Sequence, residues 1–224
     1  RIHRRMHNKA WIVDNRLAVV GGRNLGDEYF GAGAEVNFVD LDFAMVGPVV
    51  RDASASFDRY WNSAAAYPMQ LLAPDDVSAE ALTTLRTRVA SFVPQAQSSR
   101  YATELGRDDA VQRLLLGGLP LQWSGEFRFV SDDPLKAHGR QHGLAGSEVL
   151  AWLWPAMERS RSLLAISPYF VPGEAGTKLL VERAAAGGEV RVLTNSLAAN
   201  DVALVYGGYT EWRKPLLAGG VQLW

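Results

Sequence analysis

In the eighteen-residue run "HNKAWIVDNRLAVVGGRN" a histidine, a lysine, two glycines and an asparagine recur at spacings that suit phosphate chemistry. On a β-strand, residues i and i+2 share a face. His7, Lys9 and Trp11 therefore point one way, and Asn8, Ala10 and Ile12 the other. Two cationic side chains on one face repel unless an anion sits between them. Asn24, at the end of the partner strand, adds an amide donor. Gly21 and Gly22 carry no Cβ, so their backbone N–H groups can approach a ligand closely, and both are candidate phosphate-binding positions. Such a donor set suits a phosphoryl oxygen cluster. Histidine titrates near neutrality, so His7 can attack phosphorus as an unprotonated nitrogen or donate a proton.

Holding these groups requires a hairpin. Residues 6–13 alternate in polarity, 14–16 (Asp-Asn-Arg) make a turn, and 17–20 are apolar. Residues 24–30 suit a short helical turn, 31–35 a loop and 37–46 a third strand rich in Phe, Val, Leu and Met. A helix starts at Gly47-Pro48, with apolar residues at three-to-four spacing up to Trp61. Further helices are expected over 75–90 and 107–116, with a polar linker at 94–99. A second alternating unit begins near residue 119. Strand 127–131, helix 148–161, strand 163–167, helix 177–186, strand 190–194, helix 205–218 and strand 221–224 follow. This order predicts an α/β fold with mixed, largely parallel sheets and helices on both faces. Loops 167–173 and 194–201, at strand ends, are candidate site walls.

The composition narrows the function. Net charge is −1 over 224 residues, which gives no global pull toward nucleic acid or an anionic membrane. Arg1, Arg4 and Arg5 form one local basic cluster. The chain has no cysteine, which removes disulfides, thiolate metal sites and cysteine nucleophiles. No apolar run reaches the ~20 residues that span a bilayer. His138 and His142 have the i, i+4 spacing of a helical metal site, but Gly139 and Gly143 weaken that helix and no third ligand is suitably spaced, so no metal is expected. His3 reads as an exposed strand residue. Neither a nucleophile elbow nor a P-loop occurs.

His7-x-Lys9-x4-Asp14-x6-Gly21-Gly22-x-Asn24 resembles the HxKx4Dx6G(S/G)xN, or HKD, signature of the phospholipase D superfamily, with all six positions matched. "GGRNLGDEYF" and "FVDLDFAMVGPVV" are similar to the first such motif, and the strand after it, of bacterial cardiolipin synthases. "SDDPLK", "ISPYFVPG" and "VRVLTNSLAANDVALVYGGY" resemble the start of the second half in that branch. The resemblance implies a phospholipase D-like fold of two pseudo-repeat halves. Residues 1–118 would be the C-terminal part of the first half and 119–224 the N-terminal part of the second. Both ends read as cut, and a second His-x-Lys is expected beyond Trp224.

The resemblance further implies two-step phosphatidyl transfer without metal or other cofactor, through a phosphohistidine. His7 would be one of two paired histidines, read first as the nucleophile. Lys9 and Asn24 would hold non-bridging oxygens. Asp40 is the carboxylate that resemblance suggests for orienting His7, followed by Asp42 and Glu35. Asp14 belongs to the signature and is a catalytic candidate by it, though its turn position reads first as structural. Arg23, at the variable position, receives no role. The implied partners are phosphatidylglycerol-like phospholipids, a peripheral contact with the bacterial membrane through loops, and a second HKD half in the same chain or in a dimer partner. The rival readings are a phosphodiesterase acting on phospholipid or nucleic acid, and a non-catalytic half that binds lipid or a partner. Near-neutral charge counts against nucleic acid. With one donor set, the isolated piece is expected to be inactive.

Overall fold

A computed structural model describes residues 6–72, 78–107, 112–113, 116–118, 121–136, 146–199 and 203–224. Arg1, His3, Arg4, Arg5, His138 and His142 lie outside these residues, as does much of the helix expected over 107–116. The protein is mixed α/β and divides into two compact units, Arg1–Gln141 and His142–Trp224.

The first unit is built on a three-stranded antiparallel sheet of β1 (Lys9–Val13), β2 (Leu17–Gly21) and β3 (Asp42–Val46), in that order. Asp14 and Asn15 both have positive φ (51° and 53°), and Arg16 N–H donates to the Val13 carbonyl at 2.9 Å. This is the type I′ geometry that matches the twist of a hairpin, and Asp and Asn are the non-glycine residues that tolerate it best. So short a connection permits only antiparallel pairing, which corrects the expectation of largely parallel sheets for this unit. Gly47, at φ 88°, turns the chain into α1 (Val49–Trp61). Val50 and Ala53 of α1 close over Ala18, with Ile12, Met45 and Phe129 packed around them. Because Ile12, Ala18 and Met45 are paired across the three strands, one sheet face is the core. The opposite face keeps Trp11, Val13 and Val46 exposed.

A single helical turn, α2 (Met69–Leu72), precedes α3 (Ala79–Gln97) and α4 (Arg100–Arg107). α3 runs through Pro94 into the expected linker, since a proline that late removes one helical hydrogen bond and leaves its own carbonyl to accept from Ser98 N–H (3.2 Å). Residues 127–131 do not form the expected strand. They lie in the first unit, where Ser131 bonds Ser56 of α1 (2.7 Å) and Arg59 (2.9 Å) and Asp132 offers its carbonyl to Tyr60 (2.7 Å). The boundary between the compact units falls at 141/142.

The second unit contains α5 (Glu148–Arg159), β4 (Ser162–Ile166), α6 (Gly173–Ala185), β5 (Glu189–Leu193), α7 (Ala203–Ala218) and β6 (Gln222–Leu223). Its sheet is parallel in the order β4-β5-β6, as a βαβ sequence requires. Leu180 of α6 and Leu216 of α7 pack on Val190 and Val192 of β5. Both helices therefore lie on one face. Leu164, Ile166 and Leu193 on the other are exposed. Among the described residues, each sheet carries helices on one face, not on both as expected.

Candidate functional site

Lys9, Gly21, Gly22, Arg23, Asp40 and Asp42 come together where β2 ends. Lys9 pairs with Gly21, and Gly21 pairs with Asp42. Directly opposed residues in antiparallel strands share a face, so Lys9 and Asp42 flank Gly21 on the side away from α1. A Cβ on Gly21 would lie 1.9 Å from Asp42 Oδ1, and one on Gly22 would lie 2.6 Å from Asp40 Oδ2. The two glycines are therefore needed to admit two carboxylates. This is a different reason from the ligand approach that the sequence suggests. Asp40 also accepts from Leu41 N–H at 2.8 Å. It precedes β3, because the strand expected from residue 37 starts at Asp42.

Arg23 is the centre of this corner. Its Nε donates to Asp42 Oδ2 at 2.6 Å, its guanidinium donates to the Tyr29 carbonyl, and Cζ sits 5.5 Å from the centroid of the Phe30 ring. Phe30 in turn meets Tyr101 of α4 edge to face at 6.4 Å. Asn24 donates from its amide to the Tyr29 hydroxyl at 2.8 Å, and Tyr29 packs edge-on against Phe38 at 5.0 Å. Arg23 and Tyr29 are thus structural partners of the motif that sequence reasoning missed. The signal available for Arg23 was only that a cation interrupts a Gly-Gly-x-Asn turn followed by aspartates.

His7 and Asn8 lie just before β1, and His7 is exposed. Asn8 hydrogen-bonds the Tyr60 hydroxyl of α1, and burial holds that phenol above its ordinary value, with the Asn8 bond acting in the opposite direction. Asn8 therefore faces α1, and alternation leaves Lys9 for the other side. Among the described residues, no hydrogen bond or ion pair ties His7 to Asp40, Asp42 or Glu35. Asp14 stands apart. It lies in the hairpin turn, roughly 16 Å along β1 from Lys9 at ~3.3 Å per residue, and its turn geometry accounts for it.

In the second unit the expected wall 167–173 packs on α7. Phe170 packs against the buried Tyr209 at 6.2 Å, and Tyr209 against Tyr206 at 5.8 Å. A Cβ on Gly208 would touch Val171 at 3.4 Å. Phe170 and Tyr209 are core residues, while Tyr169 and Val171 are exposed. No group of three or more His, Asp or Glu side chains among the described residues could hold a metal ion. No helix among the described residues is long and apolar enough to cross a membrane.

Comparison with known proteins gives the class. No family model matches the chain, and no solved structure matches it. Curated sequences do. The chain stands in a cardiolipin synthase-like relationship within the phospholipase D superfamily. It is 41% identical over its full length to "Cardiolipin synthase C" of Escherichia coli (strain K12), covering 46% of that protein. It is 31% identical, again over its full length, to an uncharacterized protein of Helicobacter pylori (strain ATCC 700392 / 26695), covering 44% of it. It is 27% identical over its full length to a "Cardiolipin synthase" of Geobacillus kaustophilus (strain HTA426), covering 35% of it. The chain spans less than half the length of these relatives.

Proposed function

We propose that the chain carries one histidine–lysine set of a cardiolipin synthase-type phosphatidyltransferase of phospholipase D-like fold. The observation that carries this reading is a complete HKD signature within a chain 41% identical, end to end, to a protein named cardiolipin synthase C. In the reading, the unprotonated ring nitrogen of His7 attacks the phosphodiester phosphorus of a phosphatidylglycerol-like donor. The P–O bond to the headgroup glycerol breaks, and the second histidine gives that glycerol oxygen a proton. The same histidine then takes a proton from the headgroup hydroxyl of a second phospholipid. That oxygen attacks the phosphohistidine, forming a new P–O bond and freeing His7. Lys9 and Asn24 bind the non-bridging oxygens, where charge builds in the transition state. Asp40 orients His7 through its second ring nitrogen. Gly21 and Gly22 are read as phosphate-binding positions whose missing side chains also admit Asp42 and Asp40.

The compact units are read as the end of the first half and the start of the second. The partner histidine comes from a second HKD half, in the same polypeptide or in a dimer mate. The protein acts at a membrane surface, as a peripheral protein. Its substrate is phospholipid, and no cofactor takes part. A lone donor set cannot both attack and protonate, so the 224-residue piece alone is inactive.

The test is to incubate the full-length protein with phosphatidylglycerol. Diphosphatidylglycerol and free glycerol are the expected products. His7→Ala should lower their rate by about 10²-fold or more and abolish acid-labile phosphate on the protein. Phosphatidic acid as the sole product would favour the hydrolase. No loss of rate in His7→Ala would remove the histidine from the chemistry.

A further inference from the structure

α3 is an exposed helix with an apolar stripe. Leu82, Leu85, Val89, Phe92 and Val93 follow the i, i+3, i+4, i+7 pattern, and each is between 42% and 56% exposed. No residue of α3 is buried. At 100° per residue the stripe covers an arc of roughly 100°. The charges are arranged around it. Arg86 falls on one border and Arg88 on the other, whereas Glu80, the sole acidic residue of α3, falls nearly opposite. Thr83, Thr84, Thr87, Ser91 and Gln95 fill the rest of the polar side. Neither arginine pairs with a carboxylate among the described residues.

Two cations bordering an apolar arc suit a helix lying in a lipid interface, because long cationic side chains lay their stems along apolar surface and lift their heads to the phosphate level. The charge complements an anionic surface, and no carboxylate of α3 stands in its way. The helix is also tied to the motif. α4 follows after Ser98 and Ser99, its Tyr101 packs on Phe30, and Phe30 lies under the Arg23 guanidinium that holds Asp42. We infer that α3 docks the protein on the surface of an anionic phospholipid bilayer, with Leu85, Val89 and Phe92 immersed and Arg86 and Arg88 at the headgroups. This rests on the phospholipid reading above and adds the docking surface to it.

The experiment is co-sedimentation of the full-length protein with vesicles, paired with turnover of a short-chain phosphatidylglycerol kept below its micellar concentration. Vesicles are phosphatidylglycerol mixed with phosphatidylethanolamine, or phosphatidylcholine alone. Wild type should bind the anionic vesicles more tightly. Leu85→Glu/Val89→Glu should weaken binding about tenfold or more, and Arg86→Glu/Arg88→Glu should weaken it about tenfold, on anionic vesicles only. Thr83→Glu/Thr87→Glu, on the polar side, should bind as wild type. All variants should turn over the monomeric substrate at the wild-type rate. Unchanged binding by Leu85→Glu/Val89→Glu, or equal binding of wild type to phosphatidylcholine, overturns the inference. So does loss of the variant's cooperative melting, which assigns the stripe to packing against protein. A wild type that binds vesicles but turns over no phosphatidylglycerol sinks the transferase reading and leaves α3 as the docking helix.

Discussion

Gly21 shows how tightly the motif's corner is determined. Its backbone is flanked by β1 and β3, and its missing side chain is the space into which Asp42 leans on its way to Arg23. Alanine there would put a methyl group 1.9 Å from Asp42 Oδ1 and 2.9 Å from the Leu41 carbonyl. Either the carboxylate swings away and leaves Arg23, or the strands part. Gly21→Ala should therefore cost about 1–3 kcal/mol in urea denaturation. Asp42→Ala should cost only about 0.5–1.5 kcal/mol, because the ion pair is a quarter exposed and screened. The double variant should cost clearly less than the sum, and only the Leu41 carbonyl then resists the methyl. Strict additivity in this cycle would show that Asp42 is not what excludes a side chain at residue 21. Arg23 acquires its importance here. A signature that leaves its position open gives no hint that the guanidinium spans Asp42, the Tyr29 carbonyl and the Phe30 ring.

At the scale of elements, α1 joins the strand that carries the motif to the segment 121–136. Tyr60 makes both connections, to Asn8 ahead of β1 and to the Asp132 carbonyl. Burial raises its pKa above the ordinary value of 10.0. The unfolded chain would release this proton near pH 10 while the native chain still holds it. Above that pH the unfolded state binds fewer protons, so stability that is complete below pH 10 falls as pH rises through the window. Tyr209, buried in the second unit, acts in the same direction. Tyr60→Phe should lose about 1 kcal/mol at neutral pH with its hydrogen bonds. Its urea midpoint should then fall less steeply than that of wild type between about pH 9.5 and 11. Equal slopes would mean that the hydroxyl is not shielded.

These same elements show what the sequence makes legible. The hairpin was readable because Asp-Asn chemistry and strict alternation agree, and α1 because Gly-Pro and a three-to-four apolar pattern coincide. β4 to β6 were readable as a βαβ series for the same reason. Residues 127–131 misled because an apolar alternating run looks the same whether a ladder or a helix face receives it, and here Ser56 and Arg59 receive it. The helix expected over 75–90 stops short of the end of α3 at Gln97, because the cost of the nearby Pro94 is visible in sequence, whereas continuation through it is decided by the turn that follows. In the site, residue types and spacing marked His7, Lys9 and Asn24. The carboxylates over the glycines depend on how β3 crosses β2, which no local pattern encodes.

At the scale of the whole molecule, among the described residues, each of the two sheets is covered on one side. In the first unit Trp11, Val13 and Val46 share the face of Lys9 and Asp42, and in the second Leu164, Ile166 and Leu193 share the face opposite α6 and α7. Trp11 is 57% exposed and Ile166 70%. Apolar rows on a sheet are strong attractors for other surfaces, since each side chain that leaves water contributes about 1.5–3 kcal/mol. The 224-residue chain should therefore bind a dye such as anilinonaphthalene sulfonate while natively folded, and should self-associate as its concentration is raised. Leu164→Lys/Ile166→Lys should reduce both signals without lowering the melting temperature, because neither side chain takes part in the Leu180–Val192–Leu216 core. Light scattering with dye fluorescence on the two proteins decides the matter. A chain that stays monomeric and dark at high concentration would mean that the two faces are shielded in solution. A charged pair that melts early would mean that the row is already packed against something in the folded chain.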